Sequence, residues 1–271
     1  MRYRTSIFIT LIFTVLCMQL FTTYASAKTA SKQKLTAQAA LIMDADSGTV
    51  LFKRNANLRL PSASTVKVLT ATIIMEELST DKQVVISKRA AGIAPSKAYL
   101  REGAQYKVKD LLQGFLMSSA NDAGVALTEA VSGTEFQFSL LMNEKAKAMG
   151  ARNSFFLNAT GLPEGGKRQY STVYDLALFM RKCLAYPQLV GIMRTKNAEI
   201  CGSDGKSISL RNHNKFLWRS TNDLIGKTGF TKKAGHCFLG MFSKGKRRFI
   251  VAILDSSKPW DDLEYLMNKK Y

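Results

Sequence analysis

Histidine is almost missing from this chain: His213 and His236 are the only two among 271 residues. A histidine-rich metal centre is therefore excluded. The four cysteines include no C-x-x-C pair, which also excludes a zinc ribbon. No metal and no cofactor is expected. Acidic residues are scarce beside basic ones, 20 against 39, for a formal charge of +19. Internal repeats are lacking, and so is any linker-like stretch in the body of the chain. What remains is ordinary globular material. Hydrophobic residues make up 46% and charged residues 22%, enough for a sizeable core and unlike a disordered, collagenous or coiled-coil chain. The length fits one large domain or two small ones.

One long apolar run does occur, from Ile7 to Phe21, behind Arg2 and Arg4 and ahead of Ala25-Ser26-Ala27. A basic head, an apolar stretch and small residues at the −3 and −1 positions describe a secretory signal peptide over residues 1–27. An uncleaved membrane anchor is the rival, since no charge occurs from Thr5 to Ala27. Export leaves Cys183, Cys201 and Cys237, an odd number, so at least one thiol stays free. One disulfide among them or three small buried hydrophobes are both open.

Along the rest of the chain, Ala37–Met43 and Thr49–Lys53 flank a Gly-bearing turn and predict a β-hairpin. Ser64–Leu78, Val108–Met117, Asp122–Val131 and Phe136–Met149 predict helices. A Gly-rich loop over 158–169 follows, then a helix over Ser171–Leu184 capped by Ser171 or Thr172. Leu224–Phe230, His236–Ser243 and Phe249–Leu254 predict strands, the last two a hairpin, and Pro259–Lys270 a final helix. Strands at both ends with helices between them imply one α/β unit whose terminal strands share a sheet.

Three short patterns could carry chemistry. From Pro61 to Met75 the only charge is Lys67, in an otherwise apolar helix. Burial favours the neutral amine, and Ser64, three residues earlier, lies on the same helix face. Alone, such a lysine could equally snorkel to the surface. Ser119 and Asn121 stand two apart just before a helix and can line a cleft, although both residue types favour any loop. Lys227-Thr228-Gly229 lies on a predicted strand, and Gly229 lets a substrate backbone approach closely. Gly226-Lys227-Thr228 is also the tail of a phosphate-binding loop, but that motif needs Gly at 221, where Thr221 stands.

Each pattern is weak, and their order is specific. S-x-x-K, S-x-N and K-T-G in this sequence resemble the active-site set of serine penicillin-recognising enzymes. Over about residues 36–256 the chain resembles the D-alanyl-D-alanine carboxypeptidases among the low-molecular-mass penicillin-binding proteins. Further matching stretches are Leu60–Ala71, Ser118–Ala123, Asn158–Pro163, Tyr170–Thr172 with Asp175–Ala177, Asn212-His213-Asn214, and Gly226–Thr231 with Ala234-Gly235. The resemblance implies a β-lactamase-like α+β fold, with a mainly antiparallel sheet and an inserted helical subdomain. It implies Ser64 as acylated nucleophile, Lys67 as its base, and Ser119 as proton relay to the leaving D-alanine. Asn121 would line the cleft. Lys227 and Thr228 would bind the substrate's terminal carboxylate, with Lys227 helping to keep Lys67 neutral. Gly229 would lie beside the substrate, and the N–H groups of Ser64 and Phe230 would form an oxyanion hole.

Many longer family members carry a second, β-rich domain. Here the residues after Gly229 are taken up by the last strands and helix, so a single catalytic domain over 28–271 is expected. A class A β-lactamase needs a deacylating Glu in an E-x-x-x-N setting, and neither Glu164 nor Glu199 has Asn four residues on. A D,D-endopeptidase cutting peptidoglycan cross-links shares every motif and stays open. The expected partners are peptidoglycan stem peptides and β-lactams, with an anionic cell-wall or membrane surface for the basic charge and no nucleic acid. The expected place is the periplasm, the outer face of the cytoplasmic membrane or the wall.

Overall fold

A computed structural model describes residues 35–219 and 223–271. The expected signal peptide lies outside the described residues. Five strands form the main sheet: β1 (Ala39–Asp44), β2 (Val50–Arg54), β7 (Ile225–Thr231), β8 (Gly235–Lys244) and β9 (Arg247–Ser256). Their order is β2-β1-β9-β8-β7, with every pairing antiparallel. The first strand thus sits beside the last, Ile42 opposite Val251, as the distribution of strands predicts. Cys237–Phe242 and Phe249–Leu254 are each buried throughout, because both faces of the sheet centre are covered.

The helices between β2 and β7 are α1 (Lys67–Glu77), α2 (Lys88–Gly92), α3 (Val108–Met117), α4 (Asn121–Ser132), α5 (Glu135–Ala148), α6 (Val173–Cys183) and α7 (Pro187–Arg194); α8 (Pro259–Asn268) closes the chain. Helix α1 is the hub, touching α3, α4, α5 and α6. It is buried on all sides from Lys67 to Ile74, as a helix apolar all round must be. Helix α6 lies against β1, β8 and β9, and its cap is Thr172, whose hydroxyl accepts the Asp175 N–H at 3.0 Å. The buried carboxylate of Asp262 on α8 fixes the start of the described fold. It accepts the Thr36 and Ala37 N–H groups, both at 2.7 Å, and the Ser256 hydroxyl at 2.6 Å.

The long helices and sheet strands fall where their periodicity predicts, to within a few residues. Two small ribbons, β3 (Gln83–Val85) with β4 (Gln105–Lys107) and β5 (Asn197–Cys201) with β6 (Ser207–Arg211), lie outside the predicted elements. Strands β3 and β4 are too short for a pattern, whereas β5 and β6 do alternate apolar and polar residues, Ala198 and Ile200 against Ile208 and Leu210, a signal the predicted elements omit. Cys183, Cys201 and Cys237 are all free thiols, and of the two open alternatives Cys183 and Cys237 follow the buried-hydrophobe one.

Candidate active site

The segment before α1 is a 3-10 turn, Ala63–Val66, rather than the first turn of the helix. Residues three apart eclipse in a 3-10 turn, so Ser64 and Lys67 stay on one edge. The turn is clamped from outside by the loop over 158–169. A Cβ on Gly161, whose φ is +80°, would lie 2.0 Å from the Ala63 carbonyl oxygen, so only glycine permits this approach. From the other side comes Gly229, where a Cβ would stand 3.0 Å from the Ser64 nitrogen. Strand β7 is an edge strand, and its run past Ser64 forms one wall of the cleft.

Lys67 is fully buried beneath this cleft. Its Nζ donates to the Ser119 carbonyl at 2.6 Å and to Asn121 Oδ1 at 2.7 Å, and lies 3.1 Å from Ser119 Oγ. Ser119 holds φ at +60°, a conformation a side-chain-bearing residue adopts at a cost. Burial pushes the Lys67 amine well below the usual lysine range, and the Lys227 charge pushes it further; Asp122 and Glu135 oppose both. The Ser64 hydroxyl points to the Thr160 carbonyl at 3.4 Å, so Lys67 is hydrogen-bonded to Ser119 rather than to Ser64.

Lys227 is buried as well and donates to the Thr228 carbonyl at 2.9 Å. Desolvation lowers its pKa to about 7. The cavity above has a volume of about 320 Å³ and is lined by Ser64, Ser119, Thr228, Gly229 and Phe230. Lys67, Asn121 and Lys227 stand behind that lining. The strand geometry predicts Lys227 and Gly229 on one side and Thr228 on the other; Thr228 and Gly229 both reach the cavity, at its edge-strand wall.

Seven further lining residues lie outside the motifs, among them His213, Ser96 and Trp260. His213 lines the cavity, and burial together with the Lys227 and Lys67 charges holds its imidazole down at about 4. The stretch Asn212-His213-Asn214 is the signal for it. Asn212 bonds the Thr195 carbonyl at 2.9 Å and Asn214 the Leu224 carbonyl at 2.7 Å, so two buried carboxamides pin the histidine between them. Ser96 and Trp260 complete the walls from segments with no local pattern.

A hydroxyl in a cleft, a depressed amine one hydroxyl away, and a second cation under the floor can together support acyl transfer through a covalent serine. The comparisons agree with that class. The family model described as D-alanyl-D-alanine carboxypeptidase matches residues 26–258. D-alanyl-D-alanine carboxypeptidase DacF of Bacillus subtilis is 35% identical over 228 residues, 82% of this chain. This chain spans 58% of that protein's length. A D-alanyl-D-alanine endopeptidase of Pseudomonas aeruginosa is 30% identical, over 83% of this chain and 73% of that one. Penicillin-binding protein D2 of Listeria monocytogenes, solved in its ampicillin-bound form, superposes with a TM-score of 0.76 at 31% identity. That match covers 86% of this chain and 96% of that one. The chain belongs to the D-alanyl-D-alanine carboxypeptidase family, and its fold is that of the penicillin-binding DD-peptidases.

Proposed function

We propose that this chain is a serine-type D-Ala-D-Ala carboxypeptidase that trims peptidoglycan stem peptides through an acyl-enzyme and is itself acylated by penicillins. The observation that carries the reading is the buried Lys67 amine, 3.1 Å from the Ser119 hydroxyl beside Ser64. Ser64 Oγ attacks the carbonyl of the penultimate D-alanine, and its proton passes to the Lys67–Ser119 pair. The tetrahedral oxyanion is held by the Ser64 and Phe230 N–H groups. Ser119 then gives a proton to the amine of the leaving D-alanine, and water releases the shortened peptide from Ser64. Lys227 with Thr228 holds the terminal carboxylate, Asn121 positions Lys67 and the peptide, and Gly229 lets the substrate lie close to β7. No step uses a metal or an organic cofactor.

The similarity to an endopeptidase supports a second reading, cleavage of cross-links by the same chemistry. A β-lactamase activity lacks its deacylating carboxylate: Glu164 bonds the Asn158 carboxamide at 3.3 Å instead of lining the cavity. The site belongs to a single catalytic domain over 28–271, with 1–27 directing export to the periplasm, the outer face of the cytoplasmic membrane or the wall. The test is D-alanine release from a soluble stem pentapeptide. Release that is lost in Ser64→Ala supports the reading. No release, with cleavage of cross-linked muropeptides, replaces it by the endopeptidase reading.

A further inference from the structure

Beyond Ser64, along the same face of β7, a small hollow bordered by Ser62, Ala63 and Thr231 leads to a second cavity of about 310 Å³. Pro61, Gln169 and Lys233 border both. The second cavity is lined by Arg59, Arg168 and Lys233 with Tyr170, and by no acidic residue. The described ion pairs include none of these three cations. The buried Asp175 feels Arg59 but is itself engaged with Ser154 and the Asn153 N–H. Arg59 is held in place by the Asn153 carboxamide at 2.9 Å and the Tyr170 ring, 5.1 Å below its guanidinium. Three unneutralised cations around one hollow repel each other, and an anion relieves that repulsion.

The position of this hollow says which anion. An extended peptide adding antiparallel to an edge strand runs opposite to it. With its terminal carboxylate at Thr228 and its scissile carbonyl at Ser64, the peptide's acyl side runs toward Thr231 and Lys233. At about 3.3 Å per residue, the hollow receives groups two to three residues before the scissile bond.

Building on the carboxypeptidase reading, we propose that Arg59, Arg168 and Lys233, with Tyr170, form a carboxylate-binding annex. It selects substrates bearing a free carboxylate on the acyl side over the same peptides with that group amidated. Arg168 and Lys233 are exposed, so their removal leaves the core intact.

The test uses two pentapeptides that differ only in this carboxylate, free or amidated, and the Arg168→Ala/Lys233→Ala double variant beside the original chain. The original chain shows a ratio of kcat/KM, free acid over amide, of about five, the scale of a few partly exposed charge pairs. In the double variant the ratio falls to near one, through KM. An unchanged ratio overturns the proposal. Binding of labelled peptides to Ser64→Ala, with and without the double substitution, gives an independent reading that needs no turnover. If neither peptide releases D-alanine, the carboxypeptidase reading falls, and the annex stands or falls on these Kd values alone. A preference for the free acid that the double substitution removes upholds it, and equal Kd values overturn it.

Discussion

As an ammonium Lys67 has three N–H donors and no lone pair; as an amine it has two donors and one lone pair. Its three oxygen neighbours accommodate either form, and desolvation favours the amine. Two carbonyl oxygens, at 2.6 and 2.7 Å, can only accept, and they take both N–H groups. The third neighbour, Ser119 Oγ, can donate to the lone pair. With Ser119 Oγ donating to its lone pair, the neutral Lys67 can take up a proton through Ser119. Lys67→Met keeps the length and removes the lone pair. Acylation by a penicillin is expected to fall about 10²–10⁴-fold in stopped-flow measurements, with the circular dichroism spectrum retained. The pH profile of kcat/KM is expected to be a bell. It falls on the acid side as Lys67 takes up its proton. It falls again above about pH 7 as free-enzyme Lys227, whose pKa burial lowers to about 7, loses the charge that holds the carboxylate. A profile that is flat from pH 6 to 9 contradicts the Lys227 assignment.

At the scale of elements, the site depends on close backbone approaches around the Ser64 turn. A Cβ at Gly161 would collide with the Ala63 carbonyl. Gly161→Ala is expected to lower stability by about 1–3 kcal/mol in urea unfolding and to slow acylation as well, because the turn that moves carries Ser64. A loss of stability with full acylation rate shows that the loop does not position the nucleophile. The sequence is informative here wherever an apolar run is bounded by turn or capping residues. Helix α1, the sheet centre and the α6 cap at Thr172 are all legible, as are Lys67 and Lys227 as isolated charges in apolar runs. The ribbon β3–β4 is not, since strands of three residues carry no pattern, while β5 and β6 do alternate but are too short and too exposed to stand out from loop. His213 has a signal in Asn212-His213-Asn214, but Ser96 and Trp260 are cavity residues by virtue of tertiary placement, which local pattern does not encode. The 3-10 start of α1 is hidden for a similar reason: the tight turn is set by what packs on Ser64 from Gly161 and Gly229.

At the scale of the whole molecule, the full sequence carries a formal charge of +19, and among the described residues Lys232, Lys233, Lys244 and Lys246 are all exposed. Such a surface favours residence on an anionic wall, and screening weakens it as the Debye length shortens from about 10 Å at 0.1 M salt to about 3 Å at 1 M. Binding to purified sacculi is expected to fall steeply over that range, while kcat on a small neutral-bodied dipeptide-ended substrate changes little. Binding that ignores salt contradicts this use of the charge.

The most direct experiment is intact-mass and peptide-mass spectrometry of the exported chain after brief exposure to benzylpenicillin. The expected result is a single penicilloyl adduct on Ser64, stable over minutes and absent from Ser64→Ala. No adduct, or one on another residue, contradicts the assignment of Ser64 as nucleophile; an adduct that turns over within seconds contradicts the absence of a deacylating group.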